Sequence, residues 1–258
     1  MSKLLILFLL LFINANTINE GIIYNKVDDF EIDLQANMYI VKGAELQKYS
    51  PNNELLYTYS NLILGDIYSV DVDKSTNIFL YYNDFNKIIF LDNTLSAKYS
   101  PVDISDLGFA EASLACRSYN NSFWIYDPVN QEIIRFDQSL HISDRTGNLL
   151  NVTDVQLNPK QILERNNLLY LVDKTNGVFV FDKYGGYLRN MHFVGLDDFY
   201  VYNNNWQMLR NDTSYIFNPI TLKIDTLPLP IKNIKHYRAN ESKLVYLLDN
   251  GDIGEINI

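Results

Sequence analysis

LLYLVDKTNGVFVFDKYGGYLRN, Leu168 to Asn190, decides the fold. An apolar run ends at Asp173, the chain turns through Asn176 and Gly177, a second run ends at Asp182, and Gly185-Gly186 leads into a third. Short runs rich in β-branched and aromatic residues, separated by Asn, Asp and Gly, are antiparallel strands joined by tight turns.

The pattern recurs along the chain. Matching first strands are MYIVKG from Met38, NIFLYYN from Asn77, SFWIYDP from Ser122, NWQMLRN from Asn205 and KLVYLLD from Lys243. Their second strands are LQKYSP at Leu46, KIIFLDN at Lys87, EIIRFDQ at Glu132, TSYIFNP at Thr213 and GDIGEIN at Gly251, with polar ends at Ser50, Asp92, Asp137, Asn218 and Asn257. With the opening copy this makes six units spaced by roughly 40 residues, the length of one four-stranded propeller blade. A strand precedes each pair: FEIDL at Phe30, IYSVDV at Ile67, ASLACRS at Ala112, QILER at Gln161, FYVYN at Phe199 and IKHYR at Ile234. Outer strands follow at LLYTYS from Leu55, SAKYS from Ser96, YLRNM from Tyr187 and LKIDTL from Leu222. The sixth unit ends without an outer strand, and GIIYNKV, Gly21 to Val27, is the apolar segment that supplies it. The predicted fold is therefore all-β: one six-bladed β-propeller of four-stranded antiparallel blades, its last blade closed by the N-terminal strand.

LYLVDKTNGVFVFDKYGGYLRN (Leu169 to Asn190), and less closely FWIYDPVNQEIIRFDQSL (Phe123 to Leu140), resemble the NHL-like repeat family of six-bladed propellers. Two or three blades match its motif and the others match only in pattern, with Lys42-Gly43 and Arg210-Asn211 standing where the first Asp belongs. The resemblance implies a scaffold with varied roles and no particular chemistry.

The N-terminus reads as a secretory leader: Lys3, an apolar run from Leu4 to Ile13, and Ala15 near the expected cleavage point. The run is shorter than the ~20 residues that cross a bilayer. The expected organisation is a signal peptide at 1–19 and a propeller at 20–258, without a transmembrane anchor, in the periplasm or outside a bacterial cell. The formal net charge of −10 argues against nucleic acid as a partner. Cys116 is the only cysteine, so no intrachain disulfide forms. Sequons at Asn120, Asn151, Asn211 and Asn240 are no more than so Asn-rich a chain produces by chance.

Candidate chemistry is sparse. The Asp residues that recur once per blade sit at strand ends, where a carboxylate accepts backbone N–H bonds. DVDKSTN, Asp71 to Asn77, has the alternating oxygens of a calcium loop but places Thr76 and Tyr82 where that loop needs Gly and Glu. His141, His192 and His236 lack zinc-ligand spacing. Trp124 and Trp206, at matching positions in blades three and five, fit either packing between sheets or a ligand platform.

The loops leading into the innermost strands converge at one mouth of the channel, which makes Asp29, Asp66, Glu111, Lys160, Asp198 and Lys235 the binding candidates. Asp28, Asp197 and Lys232 stand beside them. The leading expectation is a monomeric, non-catalytic module that binds a protein partner in the envelope and uses no cofactor. One alternative is a calcium-dependent lactonase or esterase, with Glu31, Asp71 and Asp198 around a channel metal. Another is glycan or peptidoglycan recognition.

Overall fold

The computed structural model describes residues 22–229, 231–240 and 243–257. The leader expected at 1–19 lies outside them. The chain opens with β1 (Ile22–Tyr24). Blade 1 follows as β2 (Asp29–Ile32), β3 (Met38–Lys42), β4 (Glu45–Tyr49) and β5 (Leu55–Ser60). Blade 2 holds β6 (Ser69–Asp71), β7 (Ile78–Tyr82), β8 (Lys87–Leu91) and β9 (Val102–Asp103). Blade 3 is β10 (Leu114–Arg117), β11 (Phe123–Asp127), β12 (Glu132–Phe136) and β13 (Ile142–Arg145). Blade 4 is β14 (Gln161–Arg165), β15 (Leu168–Asp173), β16 (Gly177–Asp182) and β17 (Tyr187–Met191). Blade 5 is β18 (Asp198–Tyr202), β19 (Asn205–Arg210), β20 (Thr213–Asn218) and β21 (Lys223–Pro228). Blade 6 contains β22 (Ile234–Ala239), β23 (Lys243–Leu248) and β24 (Ile253–Asn257), with β1 as its fourth strand. The chain is an all-β, six-bladed propeller, closed as the repeat count and the N-terminal segment predict. Ile22 pairs with Gly254 and Tyr24 with Ile253, antiparallel.

The core lies between blades. Phe79, Phe90, Phe109, Phe123 and Phe136 fill the gap between blades 2 and 3. Trp206 joins Tyr170, Phe199 and Phe217 between blades 4 and 5. Each blade buries both faces, which explains the apolar runs Ile78–Tyr82 and Phe123–Asp127, buried at every position.

In blades 1 to 5 the recurrent polar residue after the second strand of the pair has one job. Asp92 accepts from the backbone N–H of Thr94 and Ser96, Asp137 from Ser139 and His141, and Asp182 from Tyr184 and Gly186. Ser50 does the same more weakly through its hydroxyl, toward Asn52 and Glu54. These are turn locks that satisfy backbone donors where the ladder stops. At the other end of the opening stretch, Asp173 accepts from Thr175 and Asn176, and Gly177 turns at φ +104°. A Cβ there would stand 2.5 Å from the Met191 carbonyl oxygen, so only glycine fits.

Two segments differ from the reading of the sequence. SAKYS does not form the outer strand of blade 2; it contributes a single bridge, Ala97 to Leu91, and the two-residue β9 follows Pro101. Proline has no N–H to give to a ladder, and pairing resumes only beyond it. The connection from blade 3 to blade 4 holds a short helix, α1 (Leu149–Thr153), capped by Asn148 and anchored by the fully buried Leu149. Among the described residues no helix is long and apolar enough to cross a membrane.

Candidate functional site: a charged ring in the channel

Each innermost strand sends one large polar side chain toward the axis: Glu31 from blade 1, Asp71 from blade 2, Arg117 from blade 3, Arg165 from blade 4, Tyr200 from blade 5 and Arg238 from blade 6. These six form one connected network. Arg238 grips Glu31 with Nε and Nη2, the former at 2.9 Å to Oε2, while its Nη1 donates to Asp198 Oδ2 at 2.8 Å. Arg165 grips Asp71 through Nη1 at 2.8 Å and Nη2 at 3.2 Å. Arg117 donates from Nη2 to Asp73 Oδ2 at 3.1 Å and holds Nε 3.8 Å from Asp71. The Tyr200 ring lies between the two halves, 4.3 Å from the Arg238 guanidinium carbon and 5.8 Å from that of Arg165.

The electrostatics follow from burial against charge. Burial works to protonate Asp71, yet Arg165 and Arg117 outweigh it and hold the carboxyl below its usual range. Burial likewise works against the cation of Arg238, and Asp198 with Glu31 overcomes it, raising its pKa. Two-pronged guanidinium contacts of this kind are strong and geometrically exacting. Across the ring the three guanidinium groups stand against the carboxylates of Glu31, Asp71, Asp73 and Asp198, so most of the channel charge is cancelled from within.

Above the ring lies a cavity of about 230 Å³, lined among others by Asp29, Ser69, Lys160, Gln161, Asp198 and His236. Two shallower depressions share its rim. One runs past Lys160, Lys174, Asp197 and Lys235, the other past Asp28, Asp29, Asp66, Tyr68 and Asp84. The sequence candidates Asp29, Lys160, Asp198 and Lys235 therefore meet around one mouth, and Asp66 joins them at its edge. Glu111 is exposed and lines none of these three hollows. Of the three residues named for a channel metal, Glu31 and Asp198 share Arg238 while Asp71 faces Arg165. No group of three or more His, Cys, Asp or Glu suited to a metal occurs among the described residues. The oxygens of the calcium-like stretch are engaged too, since Asp71 and Asp73 face Arg165 and Arg117. Cys116 is buried, and burial pushes its thiol pKa up, away from the reactive thiolate. Trp124 and Trp206 are fully buried, so neither ring forms a platform; the Trp124 indole donates to Glu164 at 2.7 Å.

The three arginines and Tyr200 were not singled out by the sequence, and His236 entered only as a histidine without zinc-ligand spacing. A signal was present: the inner strands FEID, SVD, LACR, QILER and IKHYR each carry a charged residue at or near their downstream end.

At the mouth, Asp29 and His236 are placed to share a proton. His236 Nε2 lies 3.1 Å from the Phe30 carbonyl oxygen, which only accepts, so this nitrogen carries hydrogen. Nδ1 faces Asp29 Oδ1 at 3.2 Å, and that contact is favourable only with a proton between the two. Burial, with Glu31 adding to it, pushes the Asp29 carboxyl up to about 7, while Arg238, Lys235 and Asp198 also face the pair. Burial, with Arg238 and Lys235, holds His236 well below 6.5.

The two linkages oppose each other. The raised Asp29 contributes stability that is lost as pH rises from ~4 to ~7, and the depressed His236 contributes stability that is lost as pH falls below ~6.5. Between these limits both the folded and the unfolded pair hold about one proton. In Asp29→Asn only the histidine slope survives. Relative to the parent, that variant should lose up to about 1.4 kcal/mol per pH unit between pH ~6.5 and ~5, measured by urea unfolding. Parallel pH profiles for the two proteins would rule out the shared proton.

No family model and no curated protein matches this chain. Its fold is similar to that of catalytically inactive virginiamycin B lyase from Staphylococcus aureus, with quinupristin, at a TM-score of 0.60 and 12% identity, covering 91% of this chain and 81% of that one. The Pan2 WD40 domain of Neurospora crassa superposes at 0.61 with 7% identity, over 89% of this chain and 74% of that one. PorZ of Porphyromonas gingivalis, an essential surface component of the type-IX secretion system, gives 0.52 and 10%, over 92% of this chain and 37% of that one. At these identities the likeness is one of fold.

Proposed function

We propose that this chain is an exported, non-catalytic propeller that presents its channel-mouth face to a protein partner in the bacterial envelope or outside the cell. One observation carries the reading: the charged groups of the channel are spent on each other, while the mouth face keeps its chemistry uncovered. Asp28, Asp66 and Asp84 rim a depression of about 410 Å³ on that face. Tyr68 and Phe85 are about half exposed, and Leu62 and Ile63 stand 84% and 83% exposed in the loop before Asp66. Exposed aliphatic and aromatic side chains next to acids suit a partner segment carrying both basic and apolar residues.

The leader read from Lys3, Leu4–Ile13 and Ala15 supports export, and the Asp173 and Asp182 turns support kinship with NHL-like propellers. A calcium-dependent hydrolase would draw on carboxylates that here bind guanidinium groups. A glycan platform on Trp124 and Trp206 would draw on rings that here are core.

The test is affinity capture from envelopes of cells that express the protein, using residues 20–258 as bait beside the triple variant Asp28→Lys, Asp66→Lys, Asp84→Lys. A partner recovered by the parent at low salt, and lost with the variant, is the expected result. Equal recovery by both baits, or no specific partner, would sink the proposal.

A further inference from the structure

The outer strands of the blades end the sheets, and an open edge is a template for another strand unless something protects it. Most outer strands here are protected. β1 has three residues and β9 two. β13 carries Asp144 and Arg145, β17 carries Arg189, and β21 carries Lys223 and Asp225 and ends at Pro228. β5 is the exception. It is six residues long, reads LLYTYS, and has neither charge nor proline. Leu55, Leu56 and Tyr57 are 54%, 42% and 42% exposed. One edge of β5 pairs with β4, from Glu45 opposite Ser60 to Tyr49 opposite Leu55, and the other has no partner strand among the described residues.

We propose that β5 is a self-association edge: two copies pair antiparallel through it, joining their first blades into one eight-stranded sheet across a two-fold axis. Two observations favour a second copy as the occupant. The chain carries a net charge of −10, so like copies repel across most of their surface, and an uncharged strand lets them meet without setting acid against acid. The strand is also complementary to itself. With the axis at Thr58, Thr58 faces the same residue of the second copy, Tyr57 faces Tyr59 and Leu56 faces Ser60, so hydroxyl meets hydroxyl, ring meets ring and no charge is opposed. The charges flanking this register do not collide. Glu54 falls opposite Leu62, and Lys48 turns inward, its ammonium donating to the Asn93 carbonyl at 3.0 Å. Each copy has one such edge among its described residues, so pairing closes at two and does not propagate. This differs from the monomer expected from the sequence, and it does not depend on the mouth face, since β5 lies on the outer rim.

The test is sedimentation of residues 20–258 across a wide concentration range, with Thr58→Lys and Thr58→Glu made in parallel. Thr58 is exposed, so both variants should fold and melt like the parent. The parent should dimerise as concentration rises. Each variant alone should stay monomeric, because like charges then face each other across the axis, and an equimolar mixture of the two should recover the dimer. A parent that stays monomeric throughout overturns the proposal. So do variants that associate as the parent does, and so does a mixture that fails to recover the dimer.

Discussion

Arg238→Ala should destabilise the protein by about 3–5 kcal/mol, because it strips the shared counter-cation from two carboxylates that stay where they are. The Arg238 side chain is only 7% exposed, with Glu31 at 13% and Asp198 at 9%. Among the described residues neither acid has a second cation within ion-pair distance; Glu31 and Asp198 each make their ion pair with Arg238. In a domain of this size the loss corresponds to a fall in Tm of about 6–20 °C. The sign of its pH dependence is fixed. The lost interaction is between full charges, so the deficit should be largest near neutral pH and shrink toward pH ~4, the range in which carboxyls take up protons. Arg238→Lys should recover only part of the loss, since an ammonium cannot hold Glu31 with two parallel bonds while also reaching Asp198. Chemical unfolding of the three proteins at pH 7.5 and 4.5 reads all of this. A deficit below about 1 kcal/mol, or one indifferent to pH, would mean that the ring does not hold the channel together.

Trp206→Ala should cost a similar ~3–5 kcal/mol by a different route, the emptying of a packed space. The indole is fully buried, with Phe199 at 5.2 Å, Phe217 at 5.4 Å and Tyr170 at 5.5 Å between ring centroids, all steeply inclined to it. These rings come from blades 4 and 5, so the cavity would open between blades and loosen their docking. Trp206→Phe keeps most of the contact and should lose well under half as much. Because the term is apolar, the loss should barely change between pH 7.5 and 4.5, which separates it from that of Arg238→Ala. Equal stability of Trp206→Ala and the parent would show that blades 4 and 5 do not depend on this contact.

The two cases mark where the sequence can be read and where it cannot. Trp206 sits inside a strand pair whose pattern is complete within about 15 residues, so packing between sheets was one of the two places that the local pattern offered it. Arg165 and Asp71 are 94 residues apart, and nothing near either residue names the other. They meet only because the ring closes. For the same reason the mouth was legible as a set of loops, bringing Asp29, Lys160, Asp198 and Lys235 together, while the pairing of Asp29 with His236 across the seam between blades 1 and 6 was not. Glu111 shows the limit of that argument, since a position in the right loop does not fix which way the loop turns. SAKYS shows another limit. Its alternation suits a strand, but the proline that follows spoils the ladder, and the chain finds its outer strand further on.

Blade 6 has a bearing on how the protein folds as well as on how it stands. Its outer strand is made first and its neighbour β24 last, with the other blades between them. A chain appearing from its N-terminus can therefore complete blades 1 to 5 in order while Ile22–Tyr24 waits without a partner. Ring closure joins segments more than 200 residues apart, and such long-range contacts make folding slow. Until that moment the open sheets at the seam are the part of the molecule most exposed to mispairing, and a chaperone acting on this protein would act there.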